Sequence, residues 1–410
     1  MSEIPFMTIG LLLLVASLIA IGTRRIGLPY SVGLVAAGLA IAMIPDTPEL
    51  PLSRELIFNV FLPPLVFEAA LQLNWKKFRR ELPVTLLLSF GGVAIATAVV
   101  AAGMHYLAGW SWIGAALFGT LIAATDPVAV IAAFKEMHAE KRLAIVVESE
   151  SLLNDGVVAV AFAVLAGIAA GAPAEAATIV PEFAWTLIGG VLIGGAVAGA
   201  ILLIAGRTRD HLVEITLTAI TAYSSFLIAE HFHASGVLAS LTAGLVVGNI
   251  GWMGAISDEG RPHVLASWEF FAFLANSFVF ILIGMHEATQ PIGLVSLQVA
   301  SLAIGLVLIG RLLAIYPLAA VFAPTRLKLS LPYQHVLFWG GLKGALALAL
   351  ALALPANVPE RMEIVVTAFI VVAFSIFIQG LTMPGLIRRL HLTRGSADPA
   401  EAASTETYEP

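Results

Sequence analysis

The stretch VVESESLLNDGVVAV, residues 146–160, lies inside a long apolar segment and still carries Glu148, Glu150, Asn154 and Asp155. A charged side chain at the centre of a bilayer costs roughly 2.5–3.5 kcal/mol on insertion scales. Three carboxylates within one apolar segment therefore indicate a membrane helix whose polar residues serve a function.

The composition of the whole chain also indicates a membrane protein. Of its 410 residues, 59% are hydrophobic and only 12% are charged, too few charges to cover a soluble surface. Apolar runs long enough to span a bilayer of ~30 Å recur along the chain. The chain has no cysteine, which excludes disulfides and thiol chemistry, and no basic run typical of nucleic-acid binding. We predict an all-α polytopic membrane protein without a nucleic-acid partner or a cofactor.

Apolar runs and the polar or Gly/Pro breaks between them predict thirteen transmembrane helices, here called crossings 1 to 13. A single transmembrane domain would occupy 1–390, and the small, acidic segment 391–410 would be a short disordered cytoplasmic tail. The crossings are predicted at 4–22, 26–45, 54–73, 82–108, 112–135, 142–171, 178–206, 211–231, 233–250, 264–286, 292–323, 332–355 and 361–387.

Lysine and arginine predict the orientation. All of them lie in loops after odd-numbered crossings or after the last one, except Arg54 and Arg361 on the other side and Arg311 and Lys343 inside crossings. Because basic residues concentrate on the cytoplasmic side, we expect the N-terminus outside and the C-terminus in the cytoplasm.

Crossing 5 contains GTLIAATDPVAVIAAF, residues 119–134, in which Asp126 precedes Pro127. Pro127 lacks a backbone donor and strains the preceding turn, so we expect the helix to break there. An acidic residue in a broken membrane helix is typical of an ion site, and Thr125 offers a hydroxyl and a carbonyl beside it. Asp126 as a cap of the second half-helix is a structural alternative that is compatible with this function.

Helical spacing sorts the polar residues of crossing 6 into two faces. Ser151 and Asp155 share one face, and Glu150 and Asn154 share the adjacent one. We expect the first pair to bind an ion and the second pair to contact a neighbouring helix. Arg311 cannot be neutralised and needs a partner inside the membrane, for which Glu150 is the candidate.

The positions of five further charged residues predict their roles. Lys343 lies between Gly341 and Gly344, so crossing 12 is also expected to break; this lysine would fix half-helix ends, repel extra cations or snorkel to the interface. Glu68 would line a cation route or lie near the cytoplasmic mouth. Solvated positions are expected for Glu148, Glu214 and Glu269, which lie near cytoplasmic ends. Carboxylates in such a cavity bind either a monovalent cation or a proton, and this mutual exclusion predicts exchange of one for the other.

Several motifs resemble the monovalent cation/proton antiporter family, and more narrowly its electroneutral sodium/proton exchanger branch of NhaP type. They are FLPPLVFEAAL at 61–71, TDPVAV at 125–130, ESLLNDG at 150–156, SGVLASLTAGLVVGN at 235–249, WEFFAFLANSFVFILIG at 268–284 and GGLKGALALALALALP at 340–355. The resemblance implies two inverted six-helix repeats with crossed discontinuous crossings 5 and 12. It also implies a homodimer with a dimerisation part and a mobile core that contains crossings 5, 6, 12 and 13 and moves like an elevator.

The resemblance also implies roles for single residues. Asp155 would bind the ion and the proton. Asp126, Thr125, Ser151 and Glu68 would complete the shell of a monovalent cation (Na⁺, Li⁺ or K⁺), with Glu150, Asn154, Arg311 and Lys343 as the supporting network. The family's electroneutral members resemble this chain in having asparagine before the central aspartate, which implies one cation for one proton. Lys343, where arginine is usual, and Ser149, where glycine is frequent, depart from the family pattern.

The expected function is therefore secondary active Na⁺ (or Li⁺) antiport against H⁺ in a prokaryotic inner membrane, serving intracellular pH and sodium homeostasis. The protein is not expected to be an enzyme. Potassium/proton exchange with the same mechanism stays open, because selectivity depends on cavity size and field strength. An intramembrane aspartyl protease built on Asp126 and Asp155 is a remote alternative, since the GxGD sequence typical of that class is absent.

Overall fold

A computed structural model describes residues 6–26, 28–44, 54–137, 139–172, 175–289 and 294–392. Within these residues the chain forms helices and no β-strand, and helices that continue through a π or 3₁₀ turn are counted here as one. They are α1 (Phe6–Ile26), α2 (Tyr30–Ala42), α3 (Arg54–Gln72), α4 (Trp75–Ala108), α5 (Trp112–Leu121), α6 (Val128–Glu136), α7 (Lys141–Ala169), α8 (Ala176–Ala205), α9 (His211–His231), α10 (Gly236–Met253), α11 (Gly260–Thr289), α12 (Leu294–Val321), α13 (Leu331–Trp339), α14 (Ala345–Leu352) and α15 (Arg361–Arg389).

Membrane crossing follows from helix length and apolarity. In the described part of the chain, eight helices are long and apolar enough to span a bilayer alone, namely α4, α7 to α12 and α15. The shorter apolar helices α1, α2 and α3 add three crossings, and the pairs α5/α6 and α13/α14 each form one broken crossing, which gives the thirteen crossings that the sequence predicts. The predicted ends are close to the observed ones, although crossing 4 begins earlier, at Trp75, and crossing 10 begins at Gly260. From residue 393 onward the predicted tail lies outside the described residues.

The two broken crossings occupy equivalent places, because each is the fifth helix of a group of six, crossings 1–6 and 8–13. α5 has 10 residues, which is about 15 Å of helix and half of a bilayer core. Ser111 caps its start by accepting a hydrogen bond from the amide of Gly114 at 3.2 Å. The break extends to Pro127, and α6 begins at Val128. In crossing 12 the helix ends at Trp339 and resumes at Ala345, past Gly341 and Gly344.

The two breaks lie against each other. The amide of Asp126 donates a hydrogen bond of 2.8 Å to the carbonyl of Leu342. A side-chain carbon on Gly344 would meet the carboxylate of Asp126, so the absence of a side chain at Gly344 allows this close approach. The discontinuous crossings therefore cross at their unwound segments.

Small residues let the surrounding helices pack closely, as the run GGVLIGGAVAGA at 189–200 predicts. Gly194 of α8 lies against the backbone of Ala239 in α10, and Gly248 of α10 lies against the backbone of Leu71 in α3. Gly38 of α2 and Gly284 of α11 contact each other in the same way. These contacts bring the helix pairs α8 and α10, α3 and α10, and α2 and α11 close together.

One expectation about a carboxylate was wrong. Glu214 was expected to be solvated, but its side chain is fully buried and accepts hydrogen bonds from the amide of Ser257 at 2.9 Å and from its hydroxyl at 3.2 Å. The loop that precedes α11 folds back over α9 and supplies these donors, so burial of Glu214 is compensated. Glu269 is exposed, as expected, and Glu148 is half-buried.

Candidate functional site

A cavity of about 100 Å³ lies beside the crossing point of the two breaks. Its walls come from α3, from the break of crossing 5, and from α7, α11 and α14. All five residues predicted to bind the ion and the proton line it, namely Glu68, Thr125, Asp126, Ser151 and Asp155. The fold thus brings together polar groups that are up to 87 positions apart in the sequence, from Glu68 to Asp155.

Asp155 is the carboxylate with an unused acceptor. Its Oδ1 atom is buried and has no hydrogen-bond partner among the described residues. A buried acceptor without a partner is costly, because it has lost its hydration and gained nothing in return. Since the same side chain lines the cavity, a cation or a proton in the cavity would satisfy it.

Asp126 makes a capping contact and also lies at the cavity. Its Oδ1 atom accepts a hydrogen bond of 3.0 Å from the amide of Val128, so the side chain caps α6 from its N-terminus. The same residue lines the cavity, and its own amide is bonded to Leu342. The cap and the link fix the position of this carboxylate from two sides.

Thr125 and Ser151 form a closed hydrogen-bonded group next to the two aspartates. The Ser151 hydroxyl donates to the carbonyl of Thr125, and the Thr125 hydroxyl donates to Ser151 Oγ at 3.2 Å. The side-chain amide of Asn154 donates to Thr125 Oγ1 at 3.1 Å. The unwound backbone of crossing 5 is therefore tied to α7 at the level of Asp155.

The second face of α7 is bonded to α12. Arg311 donates to both carboxylate oxygens of Glu150, with Nη1–Oε1 at 2.6 Å and Nη2–Oε2 at 3.2 Å. Asn154 Nδ2 donates to Glu150 Oε1 at 2.7 Å. The expected ion pair between Glu150 and Arg311 is thus present, with both side chains buried. The faces of α7 are divided as helical spacing indicates, one toward the cavity and one toward a neighbouring helix.

Two cations lie at carbonyl ends exposed by the breaks. Arg311 donates to the carbonyl of Leu337, near the end of α13, from Nε at 3.2 Å and Nη2 at 2.9 Å. Lys343 is 5% exposed, and its Nζ donates to the carbonyl of Ala124 at 3.1 Å, just past the end of α5. Positive charge is favourable at helix C-termini. Of the three interpretations of Lys343, the contact supports fixation of a half-helix end, and its burial contradicts snorkelling.

Sequence analysis missed a polar group on α15 that holds the second break. The amide of Lys343 donates to Ser375 Oγ at 2.9 Å, the Ser375 hydroxyl donates to Gln379 Oε1 at 2.7 Å, and Gln379 Nε2 donates to the carbonyl of Trp339 at 3.1 Å. This chain bridges the end of α13 and the start of the unwound segment. Its signal was a serine and a glutamine four residues apart inside an otherwise apolar crossing.

Asn276 is a further cavity residue that sequence analysis did not single out. It lies on α11 and lines the cavity together with Asp126 and Asp155. Glu68, on α3, accepts a hydrogen bond from the side chain of Gln72 one turn later. The cavity therefore offers carboxylate, hydroxyl, amide and backbone oxygens, which are the ligands that hard cations prefer.

Comparisons with known proteins agree with this geometry. The family model described as "Sodium/hydrogen exchanger, transmembrane" matches residues 10–389. The chain is 38% identical over 380 residues to the Na⁺/H⁺ antiporter ApNhaP of Aphanothece halophytica, a match that covers 92% of this chain and 73% of that protein. It is 34% identical to the Na⁺/H⁺ antiporter NhaP of Pseudomonas aeruginosa, with 92% of this chain and 96% of that protein covered.

A solved structure shares the fold. The sodium proton antiporter MjNhaP1 from Methanocaldococcus jannaschii superposes with a TM-score of 0.77 at 18% sequence identity, covering 97% of this chain and 100% of that chain. Thirteen crossings with a broken fifth and twelfth helix are therefore an architecture found in a known antiporter.

Proposed function

This chain belongs to the transmembrane sodium/hydrogen exchanger family, and from that premise we propose that it exchanges Na⁺ (or Li⁺) for H⁺ across the membrane. The observation that carries the proposal is the buried, unpartnered Oδ1 of Asp155 in a cavity that it shares with Asp126. A cation that binds there displaces the proton, and a proton that binds there removes the charge that holds the cation. Exchange follows because the two ligands cannot occupy Asp155 together.

The proposed cation shell consists of Asp155, Asp126, Ser151, the Thr125 backbone and Glu68. Ser151 and Thr125 are already bonded to each other, so they would present their oxygens in a fixed arrangement. Preorganised ligands lose little conformational freedom when the ion binds. Glu150, Asn154, Arg311 and Lys343 hold the shell in place without contacting the ion.

A one-for-one stoichiometry rests on Asn154. Its amide is bonded to Glu150 and Thr125, and an amide does not take up a proton at physiological pH. Asp155 is then the carboxylate on this face of α7 whose occupant changes during transport. One cation leaves as one proton binds, which makes the exchange electroneutral.

Alternating access would come from an elevator-like movement of a core that contains α5 to α7 and α13 to α15. The hydrogen bonds described above tie these helices together across both breaks, so they can move as one body. The other helices would include a homodimer interface that stays fixed in the membrane. The distribution of basic residues supports an N-terminus outside and a C-terminus in the cytoplasm of a prokaryotic cell, where the exchanger would serve pH and sodium homeostasis.

Potassium/proton exchange is the second candidate. The same oxygens bind K⁺, and their identity does not set the selectivity. The names of the relatives favour sodium, since the two relatives compared above by sequence identity are called Na⁺/H⁺ antiporters.

The test uses the purified chain in liposomes that contain an internal pH dye. Na⁺, Li⁺ and K⁺ are added in turn to the wild type, to Asp155→Asn and to Asp258→Asn, a control at an exposed loop carboxylate. We expect Na⁺ and Li⁺ to move protons in the wild type and the control, with no effect of a valinomycin voltage clamp, and no exchange in Asp155→Asn. A response to K⁺ alone would transfer the assignment to potassium. Full exchange by Asp155→Asn would show that the site lies elsewhere.

A further inference from the structure

A second cavity, of about 510 Å³, opens where α12, α13 and α15 meet. It shares no lining residue with the ion cavity, so it belongs to a different part of the molecule. Its lining is aromatic and basic. The described residues around it are Tyr316, His335, Phe338, Trp339, Thr382, Gly385, Leu386 and Arg389.

The aromatic side chains of this second cavity are held in place by hydrogen bonds. The Tyr316 hydroxyl and His335 Nδ1 are 2.6 Å apart, and Trp339 Nε1 donates to Thr382 Oγ1 at 2.8 Å. Tyr316 and Phe338 are in ring contact, with centroids 6.0 Å apart. The cavity is therefore a built structure whose aromatic walls link three helices.

Its charge is positive and uncompensated within the described part of the chain. Arg389 lies in the last turn of α15, is exposed and forms no ion pair with any described residue. None of the described lining residues is acidic. A free guanidinium binds phosphate through paired hydrogen bonds, so this end of the cavity favours a phosphate-bearing anion.

One end of the cavity lies where lipid headgroups are expected to meet the protein. Arg389 in the last turn of α15 marks this end, on the side where the loop before α13 carries Arg326 and Lys328, and the other end reaches Trp339 at the break. The neighbouring faces of α12 and α15 expose large apolar side chains, among them Leu312, Leu313, Ile378 and Leu381. Tyrosine, here Tyr316 near the end of α12, concentrates at this depth in membrane proteins, and basic residues there attract anionic lipids.

We propose that this cavity binds the headgroup of an anionic phospholipid, with the phosphate on Arg389 and the acyl chains along the apolar faces of α12 and α15. The site is independent of which ion is exchanged. Its position gives it a structural effect, because Trp339 is the last residue of α13 before the break, and its carbonyl accepts the hydrogen bond from Gln379. A bound lipid would tie α12, α13 and α15 together beside the unwound segment.

The experiment measures lipid retention by native mass spectrometry of the full chain in detergent, with phosphatidylglycerol and phosphatidylcholine supplied as equal probes. The variants are Arg389→Gln and Arg388→Gln; Arg388 is the exposed neighbour with the same charge, and it does not line the cavity. We expect the wild type and Arg388→Gln to retain one tightly bound phosphatidylglycerol. Retention by Arg389→Gln should fall about fivefold, the effect of one basic group at an anionic membrane surface.

A second readout places the lipid. Phosphatidylglycerol brominated on its acyl chains should quench the tryptophan fluorescence of the wild type more than that of Trp339→Phe. Equal retention by Arg389→Gln and Arg388→Gln would overturn the proposal, as would equal retention of phosphatidylcholine. Retention only in a chain that lacks residues 393–410 would also overturn it, because the acidic tail would then be the occupant. Unchanged sodium exchange by Arg389→Gln in phosphatidylcholine liposomes would show that the variant is folded.

Discussion

The amide of Asp126 donates a 2.8 Å hydrogen bond to the carbonyl of Leu342, so the two interrupted crossings are bonded to each other where both are unwound. An unwound segment has backbone amides and carbonyls without helical partners. Here an amide of one break bonds to a carbonyl of the other. Asp126 is thereby fixed beside the cavity before any ion arrives. This hydrogen bond connects the break at Asp126 and Pro127 in crossing 5 with the break around Gly341 and Gly344 in crossing 12.

The first prediction concerns Gly344. Replacement by alanine should place a methyl group against the carboxylate of Asp126. The Asp126 side chain is short, and a hydrogen bond from the amide of Val128 holds its carboxylate in place. We expect Gly344→Ala to reduce sodium-dependent proton movement in liposomes by tenfold or more, a loss of about 1.4 kcal/mol of stabilisation. Gly305→Ala on α12 is the matched control, since a side-chain carbon there meets no atom within 4 Å. Equal rates for both variants would mean that Asp126 does not need its present position.

The second prediction concerns the buried pair Glu150–Arg311. Removing one partner leaves the other charge buried alone, which typically costs about 3–5 kcal/mol. Arg311→Met should therefore lower the melting temperature in detergent strongly, while the double variant Glu150→Gln with Arg311→Met should recover part of the loss. Arg326→Met, at an exposed loop position, should melt like the wild type. If the single and double variants melt at the same temperature, charge burial is not the source of the effect.

The third prediction concerns Asn276, the cavity residue contributed by α11. If its side-chain oxygen helps to solvate the cation, Asn276→Ala should raise the KM for Na⁺ by about fivefold, the value of one ordinary polar interaction. The maximal rate should stay close to that of the wild type, because Asp155 remains available for the proton. Titration of Na⁺ in the liposome assay separates the two quantities. An unchanged KM with a lower maximal rate would assign Asn276 to packing or movement.

The fourth prediction is the pH dependence of the exchange. Since protons and Na⁺ compete for Asp155, lowering the pH on the Na⁺ side should raise the apparent KM for Na⁺. Once the protonated carboxylate predominates, the increase should reach about tenfold per pH unit by mass action. Saturating Na⁺ should restore the maximal rate at each pH. A KM that does not change with pH, together with a falling maximal rate, would indicate a separate regulatory group in place of competition.

Much of this arrangement follows from sequence alone, because insertion into a bilayer makes each polar residue costly and therefore informative. The break at Pro127, the division of α7 into two faces and the partner of Arg311 all follow from local rules of spacing, proline chemistry and charge. Where the breaks meet does not follow from such rules. The contact between Asp126 and Leu342 joins segments more than 200 positions apart.

The residues that were misjudged depend on tertiary neighbours. Glu214 was interpreted by its depth from a helix end, but the loop before α11 returns over α9 and Ser257 satisfies its carboxylate. Asn276 carries no spacing signal, because its partners in the cavity come from other crossings. Gln379 does have a spacing signal with Ser375, but its role depends on the carbonyl of Trp339, which lacks a helical partner only because α13 ends there.

The positions of Lys343 and Arg311 bear on whether ions can cross the protein without exchange for a proton. Lys343 and Arg311 donate to the carbonyls of Ala124 and Leu337, and neither lines the ion cavity, whose charged groups are carboxylates. A binding site made only of neutral carbonyls has no net charge when it is empty. Its empty state therefore costs little free energy, and ions can leak without a proton moving in exchange. A carboxylate without a bound ion or proton is charged. Moving it past apolar side chains costs many kcal/mol of desolvation free energy. For the exchange proposed above, the empty carrier would therefore stay on the side where it released its last ion, and tight coupling would follow from Asp155 itself.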